Sequence, residues 1–300
     1  MRHSRRTFVK TLGSAALLGS MATPLGAIDP IRRRAGSHMK LSLAAYSFRD
    51  QLAGPKRSMT LEDFVDLCAD YGLDGTELTS YYFPDPVTPE YLHRIRRRAF
   101  LSGLSVSGTA IRNTFTHPPG ERLNQEIAHV QKWVDYAAEM GAPVIRIFAG
   151  DVQKGTTEEQ ARGWCIDAIR RCCDYAGKRG VILGLENHGG IVTTADQLLS
   201  IVREVDSEWF GVNWDSGNFP GPDPYAALAR TAPYAVTAQV KTEVASTGRT
   251  RVAADLGRII SILRDAGYRG FVALEYEASE DPRQAVPRHL TELRRLISNC

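Results

Sequence analysis

The chain has 300 residues, 43% of them hydrophobic and 24% charged, which is enough apolar material for one large buried core and excludes a disordered, collagen-like or disulfide-stapled protein. Five cysteines, Cys68, Cys165, Cys172, Cys173 and Cys300, are odd in number and form no C-x-x-C pair, so neither a zinc ribbon nor a disulfide framework is suggested. The net charge of +3 is unevenly placed: residues 1–39 hold seven Arg and Lys against Asp29 alone, which leaves residues 40–300 at −3.

The basic excess belongs to a leader. Ser4-Arg5-Arg6-Thr7-Phe8-Val9-Lys10 precedes a Gly/Ala-rich, mildly apolar stretch over 11–27, too short and too weakly hydrophobic for a permanent membrane span. It resembles a twin-arginine export signal, which implies a folded, exported, periplasmic protein. Residues 1–39 are therefore read as signal and linker, with 36–39 left outside the fold, and 40–300 as one domain. No other stretch reaches 18 consecutive apolar residues, so no permanent membrane span is expected.

From residue 40 onward, β-branched runs alternate with segments of helical period. Strands are predicted over 41–48, 75–79, 104–111, 143–149, 181–186, 210–215, 236–241 and 271–276. The helices that follow them are predicted over 61–71, 89–101, 122–140, 158–178, 195–205, 224–230, 256–266 and 282–297. Glycines 72, 103, 141, 180 and 267 sit where helices should close, and Thr60, Thr157 and Thr194 or Asp255 where they should be capped. Eight β-then-α units in about 260 residues predict a (β/α)8 TIM barrel. A doubly wound open sheet is the competing architecture, but Ala44-Ala45-Tyr46-Ser47 offers no Gly-rich phosphate loop after the first strand.

In such a barrel, function sits at the C-terminal ends of the strands. With period two, the fifth strand presents Glu186 with His188, the sixth Asn213 with Asp215, the seventh Gln239 with Lys241, and the eighth Glu275 with Glu277. Converging buried carboxylates repel one another and need a cation. Two Glu, one Asp and a neutral ligand form an oxygen-rich shell suited to Mn²⁺, Mg²⁺ or Co²⁺.

These strand endings resemble those of the xylose isomerase-like TIM barrel family of sugar phosphate isomerases/epimerases, over about residues 41–297. In that family a Glu, an Asp, a His and a Glu on the fifth to eighth strands bind a divalent metal, and the matching positions here are Glu186, Asp215, Gln239 and Glu275. Gln239-Val240-Lys241 stands where the family usually has His-Val-Lys or a similar run, so the metal site either survives through the Gln239 carbonyl or is degenerate. The resemblance implies proton transfer between carbons of a keto sugar or cyclitol through a metal-stabilised enediolate, with Glu186 and Glu275 as acid and base. β-Elimination by a lyase or dehydratase begins with the same step and stays open, as does a non-catalytic sugar-binding barrel.

His188, Lys241, Asn218, Tyr46 and Phe148 are the candidate substrate contacts; Lys241 alternatively pairs with Glu277. Glu77 on the second strand is an isolated carboxylate that would anchor an early loop, and Trp214 should point outward. Lacking a Gly-rich loop or a Lys/Arg cluster at a strand end, the barrel is expected to take an unphosphorylated carbohydrate. The runs Arg94–Arg98, Arg170-Arg171 and Arg294-Arg295 fall within helices and read as solvated faces, so no nucleic-acid partner is expected. A homo-oligomer stays open, because the helix faces carry no clear interface signal.

Overall fold

The computed structural model describes residues 29–55, 57–245 and 250–299. The export signal therefore lies outside the described residues, as does Cys300.

Eight parallel strands close into a barrel. In chain order they are β1 (His38–Ala44), β2 (Gly75–Thr79), β3 (Ser105–Ala110), β4 (Val144–Ile147), β5 (Ile182–Glu186), β6 (Phe210–Asp215), β7 (Ala235–Val240) and, after a short hairpin of β8 (Glu243–Ala245) and β9 (Arg251–Ala253), β10 (Arg269–Leu274). β1 closes the ring by pairing with both β2 and β10. A short helix α1 (Arg49–Leu52) and then α2 (Leu61–Asp70) follow β1. The remaining crossovers are α3 (Pro89–Leu101), α4 (Glu121–Met140), α5 (Glu158–Gly177), α6 (Ala195–Val205), α7 (Pro224–Thr231), α8 (Leu256–Asp265) and α9 (Pro282–Ser298). Among the described residues no helix is long and apolar enough to cross a membrane.

Local chemistry accounts for the element ends. Thr60, Thr157 and Thr194 each form a reciprocal capping box with Asp63, Gln160 and Gln197 at the starts of α2, α5 and α6. Gly141 closes α4 at φ +80°, and the other four expected glycine stops also have positive φ. The helices seal the outer faces of the strands with residues such as Phe64, Ile95, Trp133 and Leu263. Trp214 points outward as expected, and its indole donates to the Leu228 carbonyl of α7 at 2.9 Å.

The boundaries of β1 move most, while β10 lies two residues earlier than predicted and β4 ends two residues sooner. β1 starts at His38, because the backbones of residues 38–43 pair with 269–274 along β10; the fold therefore takes in His38 and Met39. β1 also ends at Ala44, where residues 45–48 tighten into a 3₁₀ turn. The β8–β9 hairpin went unpredicted, since three-residue strands are too short to show a period.

Candidate active site

Four strand ends carry the charge. Glu186 and Asp215 are the last residues of β5 and β6, Lys241 follows β7, and Glu275 follows β10. All four are at most 5% exposed. Their backbones are clamped by short polar side chains. Asn187 accepts from the Asp215 N–H at 3.0 Å and donates to the Asp215 carbonyl at 2.9 Å. Ser216 Oγ accepts from the Lys241 N–H, and Ser47 Oγ accepts from the Tyr276 N–H while donating to the Leu274 carbonyl. Arg49 donates to the carbonyls of Tyr276 and Glu277. These clamps escaped the sequence pattern; Asn187 and Ser216 each follow a strand-end carboxylate, whereas Ser47 and Arg49 carry no such signal.

Lys241 lies at the centre. Its Nζ is 3.1 Å from Asp215 Oδ2, 3.4 Å from Glu275 Oε2 and 3.1 Å from Glu277 Oε2. Burial opposes the ammonium charge, but Asp215, Glu275, Glu277 and Glu186 outweigh it and hold the lysine well above its ordinary range. The neighbouring loop makes room: a Cβ on Gly217 would meet Lys241 Cδ and the Glu243 carbonyl, both at 2.8 Å.

A second cation, Arg146 of β4, faces Glu186 with Nε 2.9 Å from Oε2. Neither this contact nor Lys241 to Asp215 Oδ2 has hydrogen-bond geometry, so both act chiefly as charge pairs. Glu186 Oε1 accepts from Asn218 Nδ2 at 2.9 Å, and Asn218 Oδ1 lies 3.5 Å from Lys241 Nζ. Asn218, expected to contact substrate, instead spends both polar atoms inside the cluster. Burial pushes Glu186 and Glu275 up from the ordinary carboxylate range; Arg146 and Lys241 respectively pull them back in part. Asp215 is pushed up to about 6, by burial against the opposing pull of Lys241.

Gln239 faces another way from the expected metal ligand. Its Oε1 accepts from Asn213 Nδ2 at 2.6 Å and its Nε2 donates to Glu77 Oε1 at 2.7 Å. Glu77 therefore belongs to a buried polar layer within the barrel and anchors no loop; burial first, then Glu275, pushes it up to about 8. The expected shell of Glu186, Asp215, Gln239 and Glu275 is not assembled. Among the described residues no group of three or more His, Cys, Asp and Glu side chains is placed to hold a metal ion. The donor set as folded does not fit a divalent ion, because the carboxylates already face fixed cations. At an effective dielectric of about 20, a 2+ ion about 3 Å from an ammonium is opposed by about 11 kcal/mol.

Above the cluster is a pocket of about 170 Å³ lined by Glu186, Glu275, Lys241, Arg146, His188 and Phe148 among others. Tyr46, Tyr81 and Arg112 line it too and continue into an outer vestibule of about 660 Å³. The Phe148 and His188 rings lie 4.3 Å apart, and the Arg146 guanidinium is 3.9 Å from the Phe148 centroid. His188 has a solvent-open side, yet crowding by the rim and then Lys241 and Arg146 hold it below the ordinary histidine range. Four of the five expected substrate contacts, His188, Lys241, Tyr46 and Phe148, thus line the pocket. The expectation of no basic cluster at the strand ends is corrected: Arg49, Arg112 and Arg146 gather at the mouth, Arg112 over the Tyr81 ring at 5.0 Å. A separate groove of about 500 Å³ beside α3, around His93, Phe100 and Met140, contains none of these charges.

The model of the xylose isomerase-like TIM barrel family matches residues 65–296. The chain belongs to this family. A 3-dehydroshikimate dehydratase of Bacillus anthracis is 26% identical over 191 residues, 61% of this chain, and the match spans 65% of that enzyme's length. Among solved barrels, the 3-keto-D-glucoside 4-epimerase of E. coli superposes with a TM-score of 0.69 at 16% identity, covering 86% of this chain and all of that one. A family member from Mycobacterium smegmatis, solved in complex with magnesium, superposes at 0.68 and 18% identity, covering 87% and 97%. The proteins it is similar to thus include an epimerase and a dehydratase.

Proposed function

We propose that this barrel is an isomerase or epimerase that moves a proton at the carbon beside the carbonyl of a small keto sugar or cyclitol. The observation that carries the reading is the pair of buried carboxyls, Glu186 and Glu275, both raised toward neutrality by burial and lining one pocket with Lys241 between them. A carboxyl tuned this way serves as base when ionised and acid when protonated. One carboxylate takes the C–H proton; the electron pair of that bond becomes a C=C bond as the carbonyl π pair moves onto oxygen, and Lys241 balances the enediolate charge. The other carboxyl returns a proton to the opposite face of the same carbon for epimerisation, or to the former carbonyl carbon for isomerisation, with the proton of the adjacent hydroxyl passing to the former carbonyl oxygen.

Incubation with keto sugars in deuterium oxide tests this directly. Deuterium should enter at carbon with the skeleton intact, and Glu186→Gln or Glu275→Gln should slow exchange by about 10²–10⁴-fold. A folded wild type that exchanges no keto sugar sinks the reading.

Elimination is the second reading, favoured by the dehydratase relative and by Arg112. Among the described residues this exposed guanidinium makes no ion pair, and it suits a substrate carboxylate. The enediolate electron pair would then expel a leaving group one carbon further on, with a carboxyl supplying its proton. Release of water or an aglycone in the same incubation separates the two. Export remains part of the proposal, supported by the Ser4-Arg5-Arg6 leader; a mature N-terminus beyond residue 22 in the periplasmic fraction would support it.

A further inference from the structure

The carboxylates at the rim face a space that two side chains of the same protein already fill. Lys241 Nζ sits within 3.4 Å of Asp215, Glu275 and Glu277, and Arg146 covers Glu186. Both cations are buried and cannot be shed into solvent without abandoning those partners. From the β6 loop Gly217 leaves the space that the Lys241 side chain fills, and Asn218 bridges Glu186 to Lys241. Gln239, the remaining corner, has its carbonyl oxygen turned onto Asn213 and its amide onto Glu77.

We infer that Lys241 and Arg146 stand in place of a divalent ion, so that the barrel carries its cationic charge as a fixed ammonium and guanidinium and gains a metal site only when Lys241 is removed. The two kinds of cation have different chemistry. A divalent ion draws in two or more oxygens at once, whereas an ammonium donates directed hydrogen bonds to single acceptors. A substrate therefore needs one carbonyl oxygen within reach of Lys241 and needs no adjacent hydroxyl to complete a chelate. The substrate class widens from 2-hydroxy ketones to ketones with an acidic C–H and a single oxygen acceptor. This consequence rests on the proton-transfer reading above; the charge substitution itself does not.

Mn²⁺ is the probe, followed by the paramagnetic signal of the free ion and by melting temperature. Wild-type protein should leave Mn²⁺ free, and neither Mn²⁺ nor EDTA should shift its melting. Lys241→Ala, and more so Lys241→Ala with Gln239→His, should bind one Mn²⁺ per chain at least about tenfold more tightly and melt higher with it. One Mn²⁺ held by the wild type, or a metal in the purified protein whose removal lowers its melting, overturns the inference. Variants that fold only with Mn²⁺ support it; if they fail to fold under any condition, the wild-type titration decides alone. The readouts separate this inference from the functional reading. No deuterium exchange in any keto sugar defeats the function while the Mn²⁺ titration still stands. Exchange that appears only when Mn²⁺ is added defeats the charge substitution and leaves the function intact.

Discussion

Lys241 Nζ lies 3.1 Å from Asp215 Oδ2, with the two side chains 4% and 0% exposed. A buried pair of this kind adds little over an apolar replacement of both partners, but removing one partner strands a charge. Lys241→Met should therefore cost about 3–5 kcal/mol in denaturant unfolding, and adding Asp215→Asn should recover part of it. Strict additivity of the two changes would show that the ammonium is held by Glu275 and Glu277 instead.

Gly217 tests the same geometry from the backbone side. Added as Gly217→Ala, a methyl group would sit 2.8 Å from both the Glu243 carbonyl and Lys241 Cδ, and the carbonyl belongs to the β8–β9 hairpin, which cannot simply rotate away. We expect a loss of about 1–3 kcal/mol, with lower turnover because the ammonium is displaced. A variant as stable and active as wild type would mean that the lysine has a second resting place.

Asn218 separates positioning from substrate contact. Since its amide donates to Glu186 and its carbonyl faces Lys241, Asn218→Ala should lower kcat on an exchanged keto sugar and leave KM nearly unchanged. A raised KM with intact kcat would instead restore the role first expected for it, as a direct contact.

Much of this was legible in the chain. Eight alternating units, the Thr caps and the glycine stops fix the barrel, because local periodicity and capping chemistry agree along its length. Glu186, Asp215 and Glu275 follow from the rule that strand ends carry function. The partner of each carboxylate was not legible. Arg146 shares a face with Phe148 by the same period of two, but nothing in the short strand Val144–Ile147 tells that its guanidinium meets Glu186. Gln239 could be seen to replace a histidine, but only the fold shows its oxygen committed to Asn213 on the neighbouring strand. The argument from mutual repulsion correctly demanded a cation, and two residues of the chain supply it.

Glu77 gives the pH test. Burial, then the charge of Glu275, raises its folded pKa from the ordinary 4.5 to about 8, so the folded protein holds a proton that the unfolded chain has released. The resulting stability is fully present below about pH 4.5 and is lost as pH rises through about 8, at a slope of at most about 1.4 kcal/mol per pH unit. Glu77→Gln keeps an acceptor for Gln239 Nε2 and cannot ionise. Relative to wild type its melting temperature should climb between pH 5 and pH 9, by about 2–4 °C for each kcal/mol recovered. The other raised carboxyls share the sign but are present in both proteins, so most of their contribution cancels in the difference. A difference in melting temperature that stays flat across that range would show that Glu77 is ionised in the fold, with a counter-charge in the polar layer beneath Gln239.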